Sequence, residues 1–315
     1  MADIIAGVDL GGTNIKAGLV TDTGEVIQRH QRQTLAGHGP EAVAARICQV
    51  VHECIQKAGM EPFRVRGIGI GSPGTIDLKN GVVLFSPNLP GWRDIPLRRM
   101  VEEGLRMPCL LDNDANVAAL AEQWVGAGRG ASSLVLFTLG TGIGGGIVLD
   151  GRIWHGANGV AGEVGHMSIN PDGPRCNCGN YGCFEVYASA TGMVRRMRES
   201  IAGGATTSLA ARLSEFTAED IHKAALAGDL PARENIEQTG RYLGLGASNI
   251  MHIVNPQVVA FSGGVTAAGD MLMTPLLDEV QRRTLEASRM NVRICFAELP
   301  NDAGIIGAAR CFMLQ

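Results

Sequence analysis

The sequence predicts an α/β protein built from two related domains, and three observations carry that reading. At 315 residues the chain exceeds the roughly 100–200 residues of one ordinary domain. Short apolar runs ending in glycine alternate with stretches whose apolar residues recur at helical spacing. A pattern near the N-terminus, VDLGGTNIKAGLVTDTGEVI, returns as LVLFTLGTGIGGGIVLDGRI, with Leu10 and Leu139 about 129 residues apart. Each copy reads strand, glycine-rich turn with threonine, strand, Asp/Gly turn, strand. A glycine-rich chain can produce one such match by chance. The alternative is duplication, with each domain presenting a glycine hairpin toward a shared cleft.

The elements follow in order. IIAGVDL is a buried strand, and IKAGLVTDTGEVI adds two more around Asp22-Thr23-Gly24, giving a β-meander. From Pro40 to Gly59 the apolar spacing is helical, with a glycine stop. VRGIGIG is a strand, SPGTID a turn, PNLPGW a loop and IPLRRMVEEGL a short helix. PCLLDND is a strand running into Asp112, Asn113 and Asp114, which can cap the helix ANVAALAEQWVG. After the second meander, His155 to Glu185 is loop-like. Beyond it come a helix capped by Thr217 with Asp220 three residues on, and a long amphipathic helix stopped at Asn255-Pro256. VVAFSGG is a strand, another helix follows, and GIIGAARCFML is a terminal helix.

Composition excludes several classes. The chain is 45% hydrophobic and 18% charged, enough for a large core and too apolar for disorder. A net charge of −4 provides no broad basic field for nucleic acid or an anionic membrane. The longest uncharged apolar stretch, Leu134 to Leu149, is short of the ~18 residues of a membrane span and is interrupted by glycines. Asp3 stands where a secretory peptide carries positive charge, so a cytoplasmic protein with reduced thiols is expected. Glycine is the outlier: 43 residues, about twice the usual ~7%, and clustered. Such clusters mark places where backbone turns sharply or approaches a ligand closely.

Several constellations can carry chemistry. Asp9 ends a buried strand, where an unpaired carboxylate is costly; it is therefore paired, metal-bound or at a cleft. Gly11 and Gly12 let backbone N–H groups face an anion, Thr13 adds a hydroxyl and Lys16 a point charge. An ordinary hairpin turn is the alternative. Gly140-Thr141-Gly142 repeats the arrangement, and two such hairpins suit a polyphosphate. Gly263 and Gly264 follow a strand and precede a helix, where a nucleoside can sit. At the LLDNDAN junction a carboxylate can take a proton from a substrate hydroxyl; it can equally be a helix cap. Asp112 looks the same as Asp114 in isolation.

The most specific signal is GEVGHMSINPDGPRCNCGNYGCFE. His166, Cys176, Cys178 and Cys183 supply one imidazole and three thiols within 18 residues, a full tetrahedral set for structural zinc. Coincidental free thiols are the alternative. A closed four-ligand set leaves no open position for catalysis, so the metal would stiffen a loop flanked by Glu163 and Glu185. Those carboxylates can accept hydrogen bonds from a polyol, or be solvated surface charges. Cys48, Cys54, Cys109, Cys295 and Cys311 lie in apolar segments and read as small hydrophobes.

DLGGTNIKAGLV, LDNDANVAALAE, LGTGIGGG and GEVGHMS…CNCGNYGCFEVYAS, in this order, resemble the ROK family of sugar kinases and repressors over nearly the whole chain. The resemblance implies two ribonuclease-H-like domains of the actin/hexokinase superfamily around a central cleft. The expected division is a small domain of residues 1–118 plus 301–315 and a large domain of residues 119–300 with the zinc loop. It also implies roles. Asp114 matches the general base. Asn113, Glu163, His166 and Glu185 match holders of sugar hydroxyls, with His166 also a zinc ligand. Asp9 matches a residue near Mg²⁺. Gly11, Gly12, Thr13, Thr141 and Gly142 match the phosphate hairpins, with Lys16 beside the first, and Gly263 and Gly264 the adenosine side. FEVYASATG resembles the glucokinase branch, so ATP-dependent phosphorylation of glucose at the 6-hydroxyl is expected. Another hexose kinase, such as an N-acetylmannosamine kinase, is the alternative. A noncatalytic sugar-binding regulator is the non-enzyme alternative; repressors of the family carry an N-terminal helix-turn-helix, for which a first strand beginning by Ile4 leaves no room. A homodimer is expected by resemblance.

Overall fold

The computed structural model describes residues 3–212, 215–299 and 301–315. It opens with the expected meander, β1 (Ile4–Leu10), β2 (Asn14–Thr21) and β3 (Val26–Gln33), followed by α1 (Pro40–Lys57) and β4 (Val65–Ser72). Three short strands, β5 (Thr75–Asp77), β6 (Val82–Phe85) and β7 (Arg93–Ile95), precede α2 (Leu97–Leu105), β8 (Cys109–Asn113) and α3 (Asp114–Val125). The second meander is β9 (Leu134–Leu139), β10 (Ile143–Leu149) and β11 (Arg152–Ile153). Then come α4 (Phe184–Ala188), α5 (Ala190–Ala202), α6 (Ala218–Leu226), α7 (Leu230–Ile253), β12 (Val258–Ser262), α8 (Asp270–Arg283), α9 (Glu286–Arg289), β13 (Arg293–Phe296) and α10 (Ala303–Met313).

The two main sheets share one plan. The first has the order β3-β2-β1-β4-β8 and the second β11-β10-β9-β12-β13: a meander, then two strands added beside its first strand. β4 runs parallel to β1 and β8 parallel to β4; β13 runs parallel to β12. This is the ribonuclease-H-like plan, present twice. The β5-β6-β7 sheet was not expected, because strands of three or four residues leave too short a pattern to read.

By packing, the chain forms two compact units: Met1–Leu136 with Gly146–Gly162 and Glu298–Gln315, and Phe137–Gly145 with Glu163–Ala297. The expected boundary at residue 118 falls within α3, which lies whole in the first unit. A Cβ on Gly307 of α10 would fall 1.7 Å from the Val117 carbonyl oxygen, so the two helices lie backbone to backbone. The buried Glu122 carboxylate also accepts the amides of Ala127 (2.8 Å), Glu298 (3.0 Å) and Leu299 (2.7 Å). It ties the end of α3 to the chain that enters α10.

Within the first unit, strand alternation divides the apolar residues between two cores. Ile4, Ala6, Val8 and Leu10 join Val43, Ile47, Val50 and Val51 of α1. Ile5 and Val20 join Ile305 and Ala309 of α10. The α10 face depends on glycine. A Cβ on Gly7 would lie 1.9 Å from the Ile305 oxygen, and one on Gly69 1.8 Å from the Ala308 oxygen. These two glycines therefore admit helix backbone onto strands rather than serving a ligand. In the second unit, Phe137 of β9 stacks on Phe261 of β12 with ring centroids 5.1 Å apart and meets Phe184 edge-on at 6.0 Å.

Gly69→Ala should lower unfolding free energy by about 3 kcal/mol, because backbone atoms on α10 cannot rotate away as a side chain can. Urea denaturation tests this, and an unchanged midpoint would mean that the helix is not seated so closely.

Candidate functional site

The first unit holds the first glycine turn and the β8–α3 corner. Asp9 lies opposite Lys16 in the β1–β2 ladder and beside Gly71 of β4. Burial pushes its carboxyl above the ordinary value, and the nearby Lys16 offsets part of this. Gly304 gives it room: a Cβ there would fall 2.6 Å from the Asp9 carboxyl carbon. A carboxylate oxygen is the donor type that a small divalent cation takes.

In the turn between β1 and β2, the Gly11 amide donates to the Asn14 oxygen at 2.9 Å. Its carbonyls are tied down by a residue that sequence reading missed. The Gly11 oxygen accepts the Thr34 hydroxyl at 2.6 Å, and the Thr13 oxygen accepts the Thr34 amide at 2.8 Å. Thr34 is fully buried, whereas Gly12 and Thr13 are exposed.

At the β8–α3 corner the three polar residues separate in role. Asn113 is the helix cap: its side-chain oxygen accepts the amides of Ala115 (2.9 Å) and Asn116 (3.2 Å). Its amide nitrogen donates to the Gly74 oxygen at 3.2 Å. Asp112 is buried and fully engaged. One oxygen accepts the Asn113 amide (2.7 Å) and the Asn116 side chain (3.1 Å); the other faces His155 Nε2 (2.7 Å) and accepts the Cys311 thiol (3.5 Å). Burial, reinforced by Asp112, pushes the Cys311 thiol well above its ordinary value, so it stays a donor. With every acceptor position occupied, Asp112 is unsuited to take a substrate proton. Asp114 is half-buried in the first turn of α3, and one of its oxygens accepts the Ala115 amide at 2.9 Å.

The second unit holds the other glycine turns and the thiol cluster. Between β9 and β10, the Gly140 amide donates to the Gly142 oxygen at 3.0 Å. The Gly140 oxygen accepts the Ala190 amide at 3.0 Å, and the Thr141 oxygen accepts the Thr191 hydroxyl at 2.7 Å. Gly263 lies against the end of β9, where a Cβ would fall 2.2 Å from the Leu139 oxygen. Gly264, next to it, faces open space. The third glycine turn is thus a neighbour of the second.

His166, Cys176, Cys178 and Cys183 converge, their ligand atoms all within 4.8 Å of one another. Cys176 Sγ is 3.8 Å from His166 Nδ1, and Cys178 Sγ is 3.7 Å from Cys183 Sγ. Metal–sulfur bonds near 2.3 Å give tetrahedral edges of roughly 3.8 Å, so the spacing suits zinc. The loop needs glycine to close: at Gly182 φ is +62°, and a Cβ would fall 1.6 Å from the Asn170 oxygen. The Cys178 thiol is held below its ordinary value, chiefly by the Asn180 backbone.

Both flanking glutamates meet this cluster. Glu163 Oε2 lies 3.8 Å from His166 Nε2, and Glu185 Oε1 lies 3.7 Å from His166 Nδ1. Glu185 also accepts the Cys176 thiol at 2.9 Å and, with its other oxygen, the Ile143 amide at 3.3 Å. It therefore joins the thiol cluster to the strand that leaves the second glycine turn. Glu163 is exposed, His166 presents an exposed ring, and Glu185 is mostly covered.

The pattern of the ROK family matches residues 5–313. A glucokinase from Halalkalibacterium halodurans is 39% identical over 305 residues, 96% of this chain and 92% of that protein. A xylose repressor from Caldicellulosiruptor bescii is 32% identical over 305 residues, 96% of this chain but 76% of its own length. Among solved structures, a ROK family glucokinase from Streptomyces griseus in complex with glucose and AMPPNP superposes with a TM-score of 0.80 at 33% identity, covering 98% of both chains.

Proposed function

The chain belongs to the ROK family, and from that membership and its site residues we propose that it is a glucokinase, transferring the γ-phosphoryl group of ATP to the 6-hydroxyl of glucose. The observation that carries this reading is the likeness, over 98% of both chains, to a glucokinase that binds glucose and AMPPNP. The FEVYASA segment, which holds Glu185 and the α5 cap Ser189, suits the glucokinase branch; N-acetylmannosamine kinases share its pattern, so that activity is the alternative within the enzyme class.

Phosphoryl transfer demands in-line positioning and charge neutralisation more than covalent chemistry from the protein. Asp114 is the general base that accepts the proton of the attacking hydroxyl. The corner supports this assignment because Asp112 is fully engaged and Asn113 is the cap. Asn113, Glu163, His166 and Glu185 hold the remaining sugar hydroxyls. The amides around Gly11, Gly12, Thr13, Thr141 and Gly142 receive phosphate oxygens, with Lys16 adding positive charge near the first turn and Gly263 and Gly264 flanking the nucleoside. Mg²⁺ held near Asp9 would neutralise phosphate charge. Zinc held by His166, Cys176, Cys178 and Cys183 would fix the loop between Glu163 and Glu185. A metal-bound thiolate has no S–H to give, which leaves Glu185 Oε1 for a sugar hydroxyl.

The xylose repressor relative makes a regulator the second reading, and turnover decides between them. With ATP offered against glucose, mannose, fructose, N-acetylmannosamine and N-acetylglucosamine, glucose should give the highest kcat/KM. Absence of turnover on every sugar would favour the regulator. Asp114→Asn should reduce kcat by about 10²–10⁴-fold while glucose still binds; undiminished turnover removes Asp114 from the mechanism. Elemental analysis of the purified protein should find about one zinc per chain, and markedly less in Cys178→Ser. Equal zinc in both would contradict the four-ligand assignment.

A further inference from the structure

Both glycine turns are held by the same device, although the residues that supply it are unrelated by the internal repeat. In the first, the Thr34 hydroxyl binds the Gly11 oxygen at 2.6 Å and the Thr34 amide binds the Thr13 oxygen at 2.8 Å. In the second, the Thr191 hydroxyl binds the Thr141 oxygen at 2.7 Å and the Ala190 amide binds the Gly140 oxygen at 3.0 Å. Each turn thus has two carbonyls secured by one threonine hydroxyl and one backbone amide. Thr34 follows the end of β3, whereas Thr191 lies in the first turn of α5. The 129-residue offset of the repeat would carry Thr34 to Glu163, so duplication does not account for the match.

The consequence follows from peptide planarity. The carbonyl of one residue and the N–H of the next belong to one rigid trans unit and point in opposite directions. Securing the Gly11 oxygen inward aims the Gly12 N–H outward. Securing the Gly140 and Thr141 oxygens aims the Thr141 and Gly142 N–H groups outward in the same way. Among the described residues, nothing accepts a hydrogen bond from the amides of Gly12, Thr13, Thr141 or Gly142. The first turn thus directs the Gly12 amide and the second directs the consecutive amides of Thr141 and Gly142, donors suited to an anion.

We propose that Thr34 and Thr191 are positioning residues for the nucleotide: each hydroxyl, by anchoring one carbonyl, orients the following amide toward a phosphate oxygen. This rests on the reading of the chain as an ATP-dependent kinase. Neither threonine touches the nucleotide in this role. Their removal should weaken phosphate binding without altering sugar binding.

The experiment compares Thr34→Val and Thr191→Val, which keep shape and lose the hydroxyl, with Thr34→Ser and Thr191→Ser, which keep the hydroxyl. Steady-state kinetics with ATP and glucose would be paired with calorimetric binding of Mg²⁺–AMPPNP. Each valine variant should raise the ATP KM and weaken AMPPNP binding by about fivefold to tenfold, the scale of one orienting hydrogen bond. The glucose KM should stay within twofold, and each serine variant should return to wild-type values. Thr191 is exposed, so its variants remain informative if replacing the buried Thr34 prevents folding. Valine variants that bind AMPPNP like wild type, or serine variants as impaired as valine, overturn the positioning role and leave the kinase reading intact. Failure of the wild-type protein to bind AMPPNP at all overturns both.

Discussion

A peptide unit cannot turn its carbonyl inward without turning the adjoining N–H outward, and the two glycine turns are built on that constraint. Glycine supplies the room to bend, but room alone leaves the peptide planes undirected. Direction comes from the donors behind them: Thr34 in one unit, Ala190 and Thr191 in the other. The proposed charge neutralisation thereby becomes a property of the fold, in place before any anion arrives. Preorganised dipoles need no reorientation during reaction, which is where their advantage over water lies.

The sequence carried the duplicated plan clearly because a meander followed by a glycine turn leaves a local, repeating signature. Both sheets then share the order of a meander with two strands added beside it. Other features left weaker signatures. β5, β6 and β7 are too short for alternation to accumulate. The expected boundary at residue 118 falls within α3, and what holds that helix is a backbone contact with Gly307 and the reach of Glu122 to residues 298 and 299. Contacts across nearly 180 residues have no local pattern. Glycine excess likewise pointed to ligands, whereas Gly7 and Gly69 serve the seating of α10.

The candidate site divides along the same line. The four candidate metal-ligand residues were evident because three cysteines and a histidine within 18 residues leave few readings, and their ligand atoms do converge. The DND group was evident as a group but not as individuals. Only the surroundings separate a capping Asn113, a fully engaged Asp112 and a half-buried Asp114. Thr34, Thr191 and His155 escaped notice because each acts on a partner distant in sequence: a backbone oxygen for the threonines, the Asp112 carboxylate for the histidine. Glu185 shows the reverse. Its type and place suggested a polyol ligand, and the structure adds a second engagement, with the Ile143 amide beside the second turn.

The amide cradle is most directly tested by following the backbone N–H resonances of Gly12, Thr13, Thr141 and Gly142 while Mg²⁺–AMPPNP is titrated into the glucose-saturated protein. Phosphate oxygens accepting from these amides should shift their protons downfield together and protect them from solvent exchange. Saturating nucleotide that perturbs resonances elsewhere but leaves these four unmoved would contradict the assignment.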